Sequence, residues 1–152
     1  MTDNLLTEEA RAWIGMELDV GCVPLTRTEL QRFLVGIGQA PVADDDTDPA
    51  IPPMIYQALS RLPAATQSLT KDGMTQDRRP PIGQGRGMNA GIELEFRRQL
   101  RLGDRLHGRR KLVSLEPKQG KRNPMVISTW LTEFRDADGE LVIVETARQV
   151  LF

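Results

Sequence analysis

The stretch Gly91-Ile-Glu-Leu-Glu-Phe96, followed by Leu100-Arg-Leu-Gly-Asp104, has the clearest secondary-structure pattern of this chain. Apolar side chains alternate with charged ones along it, and this period of two is typical of a strand with one buried face. The alternation is broken near Arg98, and Gly103-Asp104 is a turn signal. The stretch therefore predicts a half-buried strand that ends in a turn.

Three further strands are predicted downstream. Residues 105–115 have a mixed pattern, residues 125–134 are apolar on both faces, and residues 141–152 are rich in β-branched side chains. A polar turn at 117–124 and the hairpin signal Asp138-Gly139 separate them. Consecutive strands joined by short polar turns favour a four-stranded antiparallel meander.

The first 39 residues are predicted to be helical. Thr7 is an N-cap for a short helix that Gly15 stops. Thr26 and Glu29 have the spacing of a capping box, and the helix that they open ends at Gly38. This second helix carries an apolar stripe, so we expect it to pack on a larger element.

A third helix is predicted between Met54 and Leu62, because Pro53 suits the first turn of a helix. Its apolar side chains recur at three- and four-residue steps, namely Ile55, Ala58, Leu59 and Leu62. This spacing is typical of a buried helix. The chain is therefore predicted to be one α+β domain, residues 1–152, in which this helix lies on the antiparallel sheet.

Composition limits the possible chemistry. The chain has 152 residues, of which 39% are hydrophobic and 27% charged, close to the average for a soluble globular protein. One cysteine excludes an internal disulfide, and one histidine excludes any mechanism that needs two imidazoles from one chain. No apolar run approaches the roughly 20 residues of a membrane-spanning helix, and residues 1–9 carry acids without a base, unlike a secretory leader. We therefore expect a cytoplasmic protein with no membrane partner.

Basic residues concentrate in one part of the chain. Residues 78–122 hold 13 bases and 4 acids, whereas residues 1–50 hold 3 bases and 10 acids. Such asymmetry favours an anionic ligand, although a solvated basic face is an equally simple explanation. Phe96 is the one aromatic residue of the basic segment, so a nucleic-acid-binding surface would lack stacking platforms. We expect a small phosphorylated ligand or an acidic protein partner rather than nucleic acid.

No metal site is predicted. Asp44, Asp46 and Asp48 imitate the start of a calcium loop, but Pro49 occupies its glycine position and Ile55 its closing glutamate position. A solvated acidic loop is the better interpretation.

Cys22 and His107 are the chain's one thiol and one imidazole, and they do not predict a nucleophile and base. Neither residue is flanked by a glycine elbow or an oxyanion motif. A lone cysteine is most often a small packing residue, and His107 lies among arginines on a predicted strand. A surface imidazole is the better interpretation of His107.

A family resemblance extends over nearly the whole chain. The blocks that carry it are Gly91-Ile-Glu-Leu-Glu-Phe96, Leu100-Arg-Leu-Gly-Asp104, Met125-Val-Ile127 and Asp138-Gly-Glu-Leu-Val142. They resemble the C-terminal part of MaoC-like (R)-hydratases and dehydratases. The chain is most similar to the N-terminal, fatty-acid-synthase-I-like dehydratase half of double-hot-dog members, such as the itaconyl/mesaconyl-CoA hydratase type. The resemblance implies a single hot-dog fold, in which an antiparallel sheet wraps around a central helix.

The resemblance also implies where catalysis would take place. Active members carry an Asp and a His after the first helix, and these residues handle the water that adds to, or leaves from, an α,β-unsaturated acyl thioester. A backbone N–H at the start of the hot-dog helix polarises the thioester carbonyl. The corresponding stretch here is Gly38-Gln-Ala-Pro-Val-Ala43, with Gln39 in the aspartate position and Val42 or Ala43 in the histidine position. The resemblance therefore implies no catalytic residue in this chain.

A chain without that pair has to obtain it from a partner. Our hypothesis is a non-catalytic, acyl-binding subunit of a heteromeric enoyl-CoA hydratase or 3-hydroxyacyl-thioester dehydratase. A second hot-dog subunit would supply the catalytic Asp and His, in a heterodimer or a dimer of heterodimers. The expected ligand is an acyl-CoA or acyl-carrier-protein thioester, and no other cofactor is expected.

Two alternatives belong to other functional classes. A homodimeric hot-dog thioesterase would need a carboxylate on or near the hot-dog helix, and the stretch Met54 to Leu62 has none. A non-enzymatic acyl-thioester-binding protein would need no catalytic group. Nothing in the sequence excludes this second alternative.

The resemblance implies two groups of binding residues. The expected acyl-binding residues lie on the helix and on the strand that leads away from it: Pro53, Met54, Ile55, Ala58, Met88, Asn89, Ala90 and Gly91. The expected phosphate-binding or CoA-binding residues are Arg97, Arg98 and Arg101, because guanidinium groups suit phosphates. A solvated strand face explains these arginines equally well.

Overall fold

The computed structural model describes residues 5–69, 80–82, 87–121 and 123–152, which form an α+β fold. The helices are α1 (Glu8–Arg11), α2 (Arg27–Gly36) and α3 (Ile55–Ser60), with a short 3-10 turn at Thr66–Ser68. The strands are β1 (Glu17–Gly21), β2 (Gly87–Phe96), β3 (His107–Gln119), β4 (Pro124–Arg135) and β5 (Leu141–Leu151). None of the helices in these ranges is long and apolar enough to cross a membrane.

All five strands belong to one antiparallel sheet in the order β1-β3-β4-β5-β2. The meander β3-β4-β5 is confirmed, but the prediction that β2 pairs with β3 is wrong, because β2 pairs with β5. The turn predicted at Gly103-Asp104 does not close a hairpin. It hydrogen-bonds to Leu25, whose N–H donates to the Asp104 carbonyl and whose carbonyl accepts from the Gly103 N–H. The connection between β2 and β3 therefore crosses from the β2 edge of the sheet to the strand next to the opposite edge.

Strand β1 was expected to be helical, and that expectation is wrong. Leu18 and Val20 pack into the core, while Glu17 and Asp19 face the opposite side, opposite bases of β3. This alternation is that of a strand, but it lasts only five residues between two helices. The segment is extended because the edge of β3 offers it backbone hydrogen bonds.

The predicted helix caps are confirmed. The Thr7 hydroxyl accepts a hydrogen bond from the Ala10 N–H at 3.1 Å, and the Thr26 hydroxyl accepts one from the Glu29 N–H at 3.2 Å. The Glu29 side chain does not complete a capping box, because it pairs with Arg32 at 3.0 Å. Gly38 follows α2 with a φ of 76°, which ends the helix as predicted.

Helix α3 is shorter and less enclosed than predicted. It comprises Ile55–Ser60 rather than the whole stretch from Met54 to Leu62, and those two flanking residues are 45% and 50% exposed. Its buried side chains are Ile55, Tyr56 and Leu59, whereas Ala58 is exposed. The helix thus covers the sheet with one face.

The inner face of the sheet, which is the face that α3 covers, carries two apolar clusters. The buried members of the first, beneath α2 and α3, are Leu25, Leu30, Leu34, Ile55, Tyr56, Leu59, Leu100, Leu106, Phe134, Val142 and Ile143. The buried members of the second, which includes Ala10 of α1, are Leu6, Ala10, Ile82, Leu112, Leu115, Val126, Trp130 and Leu151. The opposite face is called the outer face below.

Replacing Gly108 with alanine is expected to destabilise the protein by about 1–3 kcal/mol, the usual range for overpacking. A Cβ atom at this position would lie 2.8 Å from the Phe134 ring and 2.8 Å from the Val20 Cβ, so β1 and β4 would have to move. Urea denaturation followed by circular dichroism measures the change. Gly36→Ala is the control, because a Cβ there meets nothing within 4 Å in helix α2 and alanine favours a helix. A G108A protein as stable as the control would contradict the packing argument.

Candidate functional site

A polar row crosses the inner face between the two apolar clusters. Arg110 of β3 lies opposite Thr132 of β4, Thr132 lies opposite Glu145 of β5, and Glu145 lies opposite Leu94 of β2. The neighbouring row on one side contains Phe134 and belongs to the first cluster, while the row on the other side contains Trp130 and belongs to the second. Apolar packing does not explain this polar row.

Tyr56 connects the helix to this row. Its hydroxyl donates a hydrogen bond to Glu145 Oε2 at 2.6 Å and accepts one from Gln57 Nε2 at 3.3 Å. Its ring packs edge-to-face on Phe96 and Phe134, with centroid separations of 6.1 and 5.5 Å. Burial raises the pKa of Tyr56 above its usual value, and the bond to the Glu145 carboxylate raises it further. The hydroxyl is therefore a permanent hydrogen-bond donor near neutral pH.

At the other end of the row, Arg110 stacks on Trp130. The guanidinium carbon lies 4.2 Å from the centroid of the indole ring, which is cation–π geometry. Trp130 belongs to the second apolar cluster, and Glu145 lies two strands away from Arg110 in the register.

The loop at residues 38–43, where the resemblance implied the catalytic stretch, contains no acid–base pair. Gln39 is exposed, and its backbone N–H donates to the Leu34 carbonyl at 2.8 Å. Val42 packs against the first cluster, and the Ala43 carbonyl accepts a hydrogen bond from Arg27 at 3.2 Å. The loop is held by backbone contacts and by one aliphatic side chain. It therefore offers a substrate no group that transfers a proton.

An aspartate–imidazole contact exists elsewhere in the chain. His107 Nε2 lies 3.4 Å from Asp19 Oδ1, across the pair of strands β1 and β3. Both side chains lie on the outer face, and they are 59% and 73% exposed. A catalytic pair has to be shielded from bulk water beside its substrate, whereas this pair lies in solvent on the side away from α3. It is a surface contact, as the sequence suggested for His107.

The structure separates the predicted acyl-binding residues into two places. Pro53, Met54 and Ala58 are exposed around α3, and Ile55 is buried in the first cluster. The strand residues 88–91 are exposed at the start of β2, where Asn89 pairs with Gln149. Gln149 is four residues along β5 from Glu145, a separation of about 13 Å at the usual rise of a strand. The two groups therefore lie at opposite ends of β2.

The three predicted phosphate-binding arginines differ in their contacts. Arg98 donates two hydrogen bonds to Asp104, at 2.8 and 3.0 Å, and a third to Asp136 at 3.0 Å. Arg97 pairs with Glu95 at 2.9 Å, and both side chains are more than half exposed. Arg101 contacts Asp104 through its backbone N–H, which donates to the carboxylate at 2.8 Å. The Arg101 guanidinium makes no contact with this cluster among the described residues. Arg98 joins the turn before β3 to the turn after β4, so its charge is already neutralised by two carboxylates.

Cys22 does not have the environment of a nucleophile. Burial raises the pKa of its thiol to about 11, so the thiolate is scarce near neutral pH. Across residues 5–69, 80–82, 87–121 and 123–152, no group of three or more His, Cys, Asp or Glu side chains is arranged to hold a metal ion.

Sequence reasoning missed Tyr56 and Glu145 as a pair, because they are 89 residues apart. Two signals were nevertheless present. Tyr56 is the one tyrosine of the chain and lies in an apolar helix, and Glu145 interrupts the apolar pattern of the last strand. A polar group inside an apolar element usually has a partner or a function.

Comparisons with known proteins agree with this architecture. A MaoC-like dehydratase from Rhodospirillum rubrum superimposes with a TM-score of 0.56 and 21% identity, covering 91% of this chain and 92% of that one. A chain of the ChsH1-ChsH2 complex from Mycobacterium tuberculosis gives 0.67 and 17%, covering 99% and 90%. A chain of the HadBC (3R-hydroxyacyl-ACP dehydratase) complex from the same organism gives 0.54 and 12%, covering 91% and 96%. At such low identities the likeness shows the hot-dog fold alone.

Sequence comparison identifies the family. No curated protein matches the chain by sequence. The model of the FAS1-like dehydratase domain region matches residues 12–145, which is most of the chain. The chain therefore belongs to the FAS1-like dehydratase domain family, with the hot-dog fold of MaoC-like hydratases.

Proposed function

We propose that this chain is the non-catalytic, acyl-binding subunit of a heteromeric enoyl-thioester hydratase or 3-hydroxyacyl-thioester dehydratase. A second hot-dog subunit supplies the Asp and His that activate water. The observation that carries the proposal is the loop at residues 38–43, where a dehydratase-family chain has an exposed amide and a packed valine instead of an acid and a base. Neither an amide nor an alkyl group acts as a general base near neutral pH.

The start of α3 supports the same proposal. The Ile55 N–H donates to the Pro52 carbonyl and the Gln57 N–H to the Met54 carbonyl, each at 3.1 Å. Two donors of the first turn are thus used within the chain, so they are not directed at a thioester carbonyl. Under the proposal, the partner supplies the proton transfer and, in place of these two donors, the oxyanion contact.

Strand β2 is the proposed docking edge for the partner. It pairs with β5 on one side, and its other side has no strand partner in the described part of the chain. Strand β2 also carries exposed apolar side chains, since Met88 is 60% exposed and Ile92 is 46% exposed. An open edge of ten residues invites an added antiparallel strand. Two of the similar structures are chains of two-component complexes, ChsH1-ChsH2 and HadBC, which is the arrangement proposed here.

Assembly along β2 would bring the predicted acyl-binding residues into one interface. The exposed residues Met54 and Ala58 of the α3 region and the exposed residues 88–91 of β2 would all face the partner or the ligand. Arg97 and Arg101 stay the proposed contacts for the phosphates of CoA or of an acyl carrier protein. Arg98 is left out of this set because Asp104 and Asp136 already bind it.

One observation keeps the thioesterase alternative open. Helix α3 has no carboxylate of its own, but the fold places Glu145 within hydrogen-bond distance of Tyr56 on that helix. A thioesterase would release free CoA from a saturated acyl-CoA, whereas a hydratase would not. An acyl-thioester-binding protein would bind the ligand without either reaction.

Reconstitution is expected to produce activity that neither subunit has alone. The chain would be mixed with a hot-dog subunit that carries the Asp/His motif, and hydration of crotonyl-CoA would be followed by loss of the enoyl-thioester absorbance. We expect background rates for each subunit and a rate at least about 100-fold higher for the mixture, the usual contribution of positioned acid–base groups. Activity of this chain alone would overturn the proposal, and thiol release from butyryl-CoA would favour the thioesterase.

A charge on the docking edge serves as the internal control of that experiment. Met88→Lys is expected to prevent assembly and to abolish the gain in rate, because an edge lysine opposes strand addition. Val35→Lys places the same charge at a side chain that is also 60% exposed, on α2, and should leave the mixture active. Equal activity of the two variants would place the interface elsewhere.

A further inference from the structure

Glu145 is the one acidic residue on the inner face of the described strands. The other acids of the strands, which are Glu17, Asp19, Glu93, Glu95, Glu116 and Glu133, occupy outer-face positions of the register. Glu145 is half-buried between two apolar clusters, a position that is unfavourable for a charged group. A core that needed only packing would carry an apolar residue there.

The described residues satisfy only part of the hydrogen-bonding capacity of the Glu145 carboxylate. Tyr56 donates to Oε2, and no other donor among the described residues reaches either oxygen. An ionised carboxylate has about four acceptor positions, so most of them stay available. Tyr56 itself is buried, with its ring packed between Phe96 and Phe134, and it therefore holds Glu145 in a fixed orientation.

An open apolar strip continues from Glu145 along the inner face. Leu94 lies opposite it on β2, and the next inner-face pair is Ile92 with Ala147. Ile92 is 46% exposed and Ala147 is small and half-buried, so this part of the sheet is not closed by α3. The strip runs towards the exposed residues 88–91, which belong to the proposed acyl-binding set. A hydrocarbon chain lying on it would pass beside the free acceptor positions of Glu145.

We propose that Glu145, oriented by Tyr56, selects acyl thioesters whose acyl chain carries a hydroxyl group beyond the reacting carbons. The hydroxyl donates a hydrogen bond to the carboxylate, and the rest of the chain lies on the strip of Leu94, Ile92 and Ala147. This inference rests on the proposed function and names its substrate class. Glu145 is a specificity-determining residue and takes no part in the addition of water.

The selectivity follows from the asymmetry of buried hydrogen bonds. A hydroxylated chain replaces the water that solvates Glu145 with another donor, whereas a plain alkyl chain displaces that water and leaves the carboxylate with one bond. A hydrogen bond to a charged group commonly corresponds to a factor of about 10 to 100 in affinity. The hydroxylated substrate should therefore be preferred by a factor in that range.

The test compares matched substrates with the reconstituted complex. The probes are trans-2-decenoyl-CoA and its analogues with one hydroxyl at C6, C8 or C10, and the readout is kcat/KM for hydration. Water adds its hydroxyl to C3 and a proton to C2 in every case, so the chemistry is constant. We expect at least one hydroxylated probe to exceed the plain probe by about tenfold or more with the wild-type chain. No preference at any of the three positions would overturn the inference.

Variants distinguish a change in substrate selectivity from a general loss of folding or activity. Glu145→Gln should bring the ratio of the two kcat/KM values close to one, and the double variant Tyr56→Phe with Glu145→Leu should favour the plain chain. The double variant removes the Tyr56 hydroxyl and the Glu145 carboxylate together, so neither group is left without the other, and it is the safer variant if E145Q folds poorly. Glu133→Gln, on the outer face, is the matched control and should leave the ratio unchanged. A ratio that E145Q does not change would overturn the inference.

A binding measurement distinguishes failure of this inference from failure of the proposed function. If no probe is hydrated, the proposed function fails, and calorimetric titration of the full chain with decanoyl-CoA and its C6-, C8- and C10-hydroxylated analogues replaces the rate assay. Tighter binding of a hydroxylated analogue that E145Q abolishes would still support the site. Equal binding of all four compounds would overturn it.

Discussion

Trp130→Ala is expected to lower the free energy of unfolding by about 3–5 kcal/mol, the range for removing a large buried aromatic side chain. Trp130 is 1% exposed, lies on the central strand β4 and belongs to the second apolar cluster. Its loss would leave a cavity between the sheet and Ala10 of α1, and it would also remove the ring on which Arg110 stacks. Urea denaturation followed by far-ultraviolet circular dichroism measures the change without relying on tryptophan fluorescence.

Trp130→Phe is the matched control for this prediction. Phenylalanine keeps an aromatic ring for Arg110, and it loses no hydrogen bond, because the buried indole N–H has no acceptor among the described residues. We therefore expect a loss well below that of the alanine variant. An alanine variant within about 1 kcal/mol of the wild type would contradict the prediction that Trp130 fills the second apolar cluster.

Arg98→Met is expected to lower the Tm by about 5 °C or more, a large change for a chain of this size. The substitution keeps the apolar stem but leaves Asp104 and Asp136 without their shared cation, and these carboxylates are only 13% and 14% exposed. The two turns that Arg98 joins would then repel each other. Thermal unfolding at pH 7 measures the effect.

The pH dependence identifies the cause. Arg98 holds the pKa of Asp136 below its usual value, so this stabilisation is complete above the unfolded-state pKa and is lost as the pH falls through the lower folded-state pKa. The difference in Tm between wild type and R98M should therefore be greatest at neutral pH and shrink below about pH 4. Arg97→Met is the control, because the Arg97–Glu95 pair is more than half exposed and should change the stability little. A difference that persists unchanged at low pH would contradict the electrostatic explanation.

Local signals in the sequence predicted much of the fold. The caps at Thr7 and Thr26 are confirmed because a hydroxyl and an N–H three residues later meet whatever the rest of the chain does. Strands β3, β4 and β5 are confirmed because each is followed or preceded by a short turn of recognisable chemistry. The sequence also shows that residues 38–43 contain neither an acid nor a histidine, since this depends only on which residues are present.

Pairings between distant segments could not be predicted from such local signals. The five residues of β1 form a strand because they pair with the edge of β3. Strand β2 pairs with β5, although β3 is the next strand along the chain. The ion pairs of Arg98 with Asp104 and Asp136 were not predicted, because these partners are six and 38 residues away and are brought to Arg98 by the turns. Strand register and long-range contacts depend on interactions between distant segments of the chain. A short stretch of sequence therefore does not predict them.

Residue identity and short-range spacing were enough to predict the caps at Thr7 and Thr26, the strands β3, β4 and β5, and the resemblance that the family model supports. Only the packed structure showed that β2 has no second strand partner among the described residues, that Arg98 binds Asp104 and Asp136, and that Tyr56 of α3 donates to Glu145 of β5. Tyr56 and Glu145 are 89 residues apart, so their hydrogen bond forms only after the strands and the helix have packed.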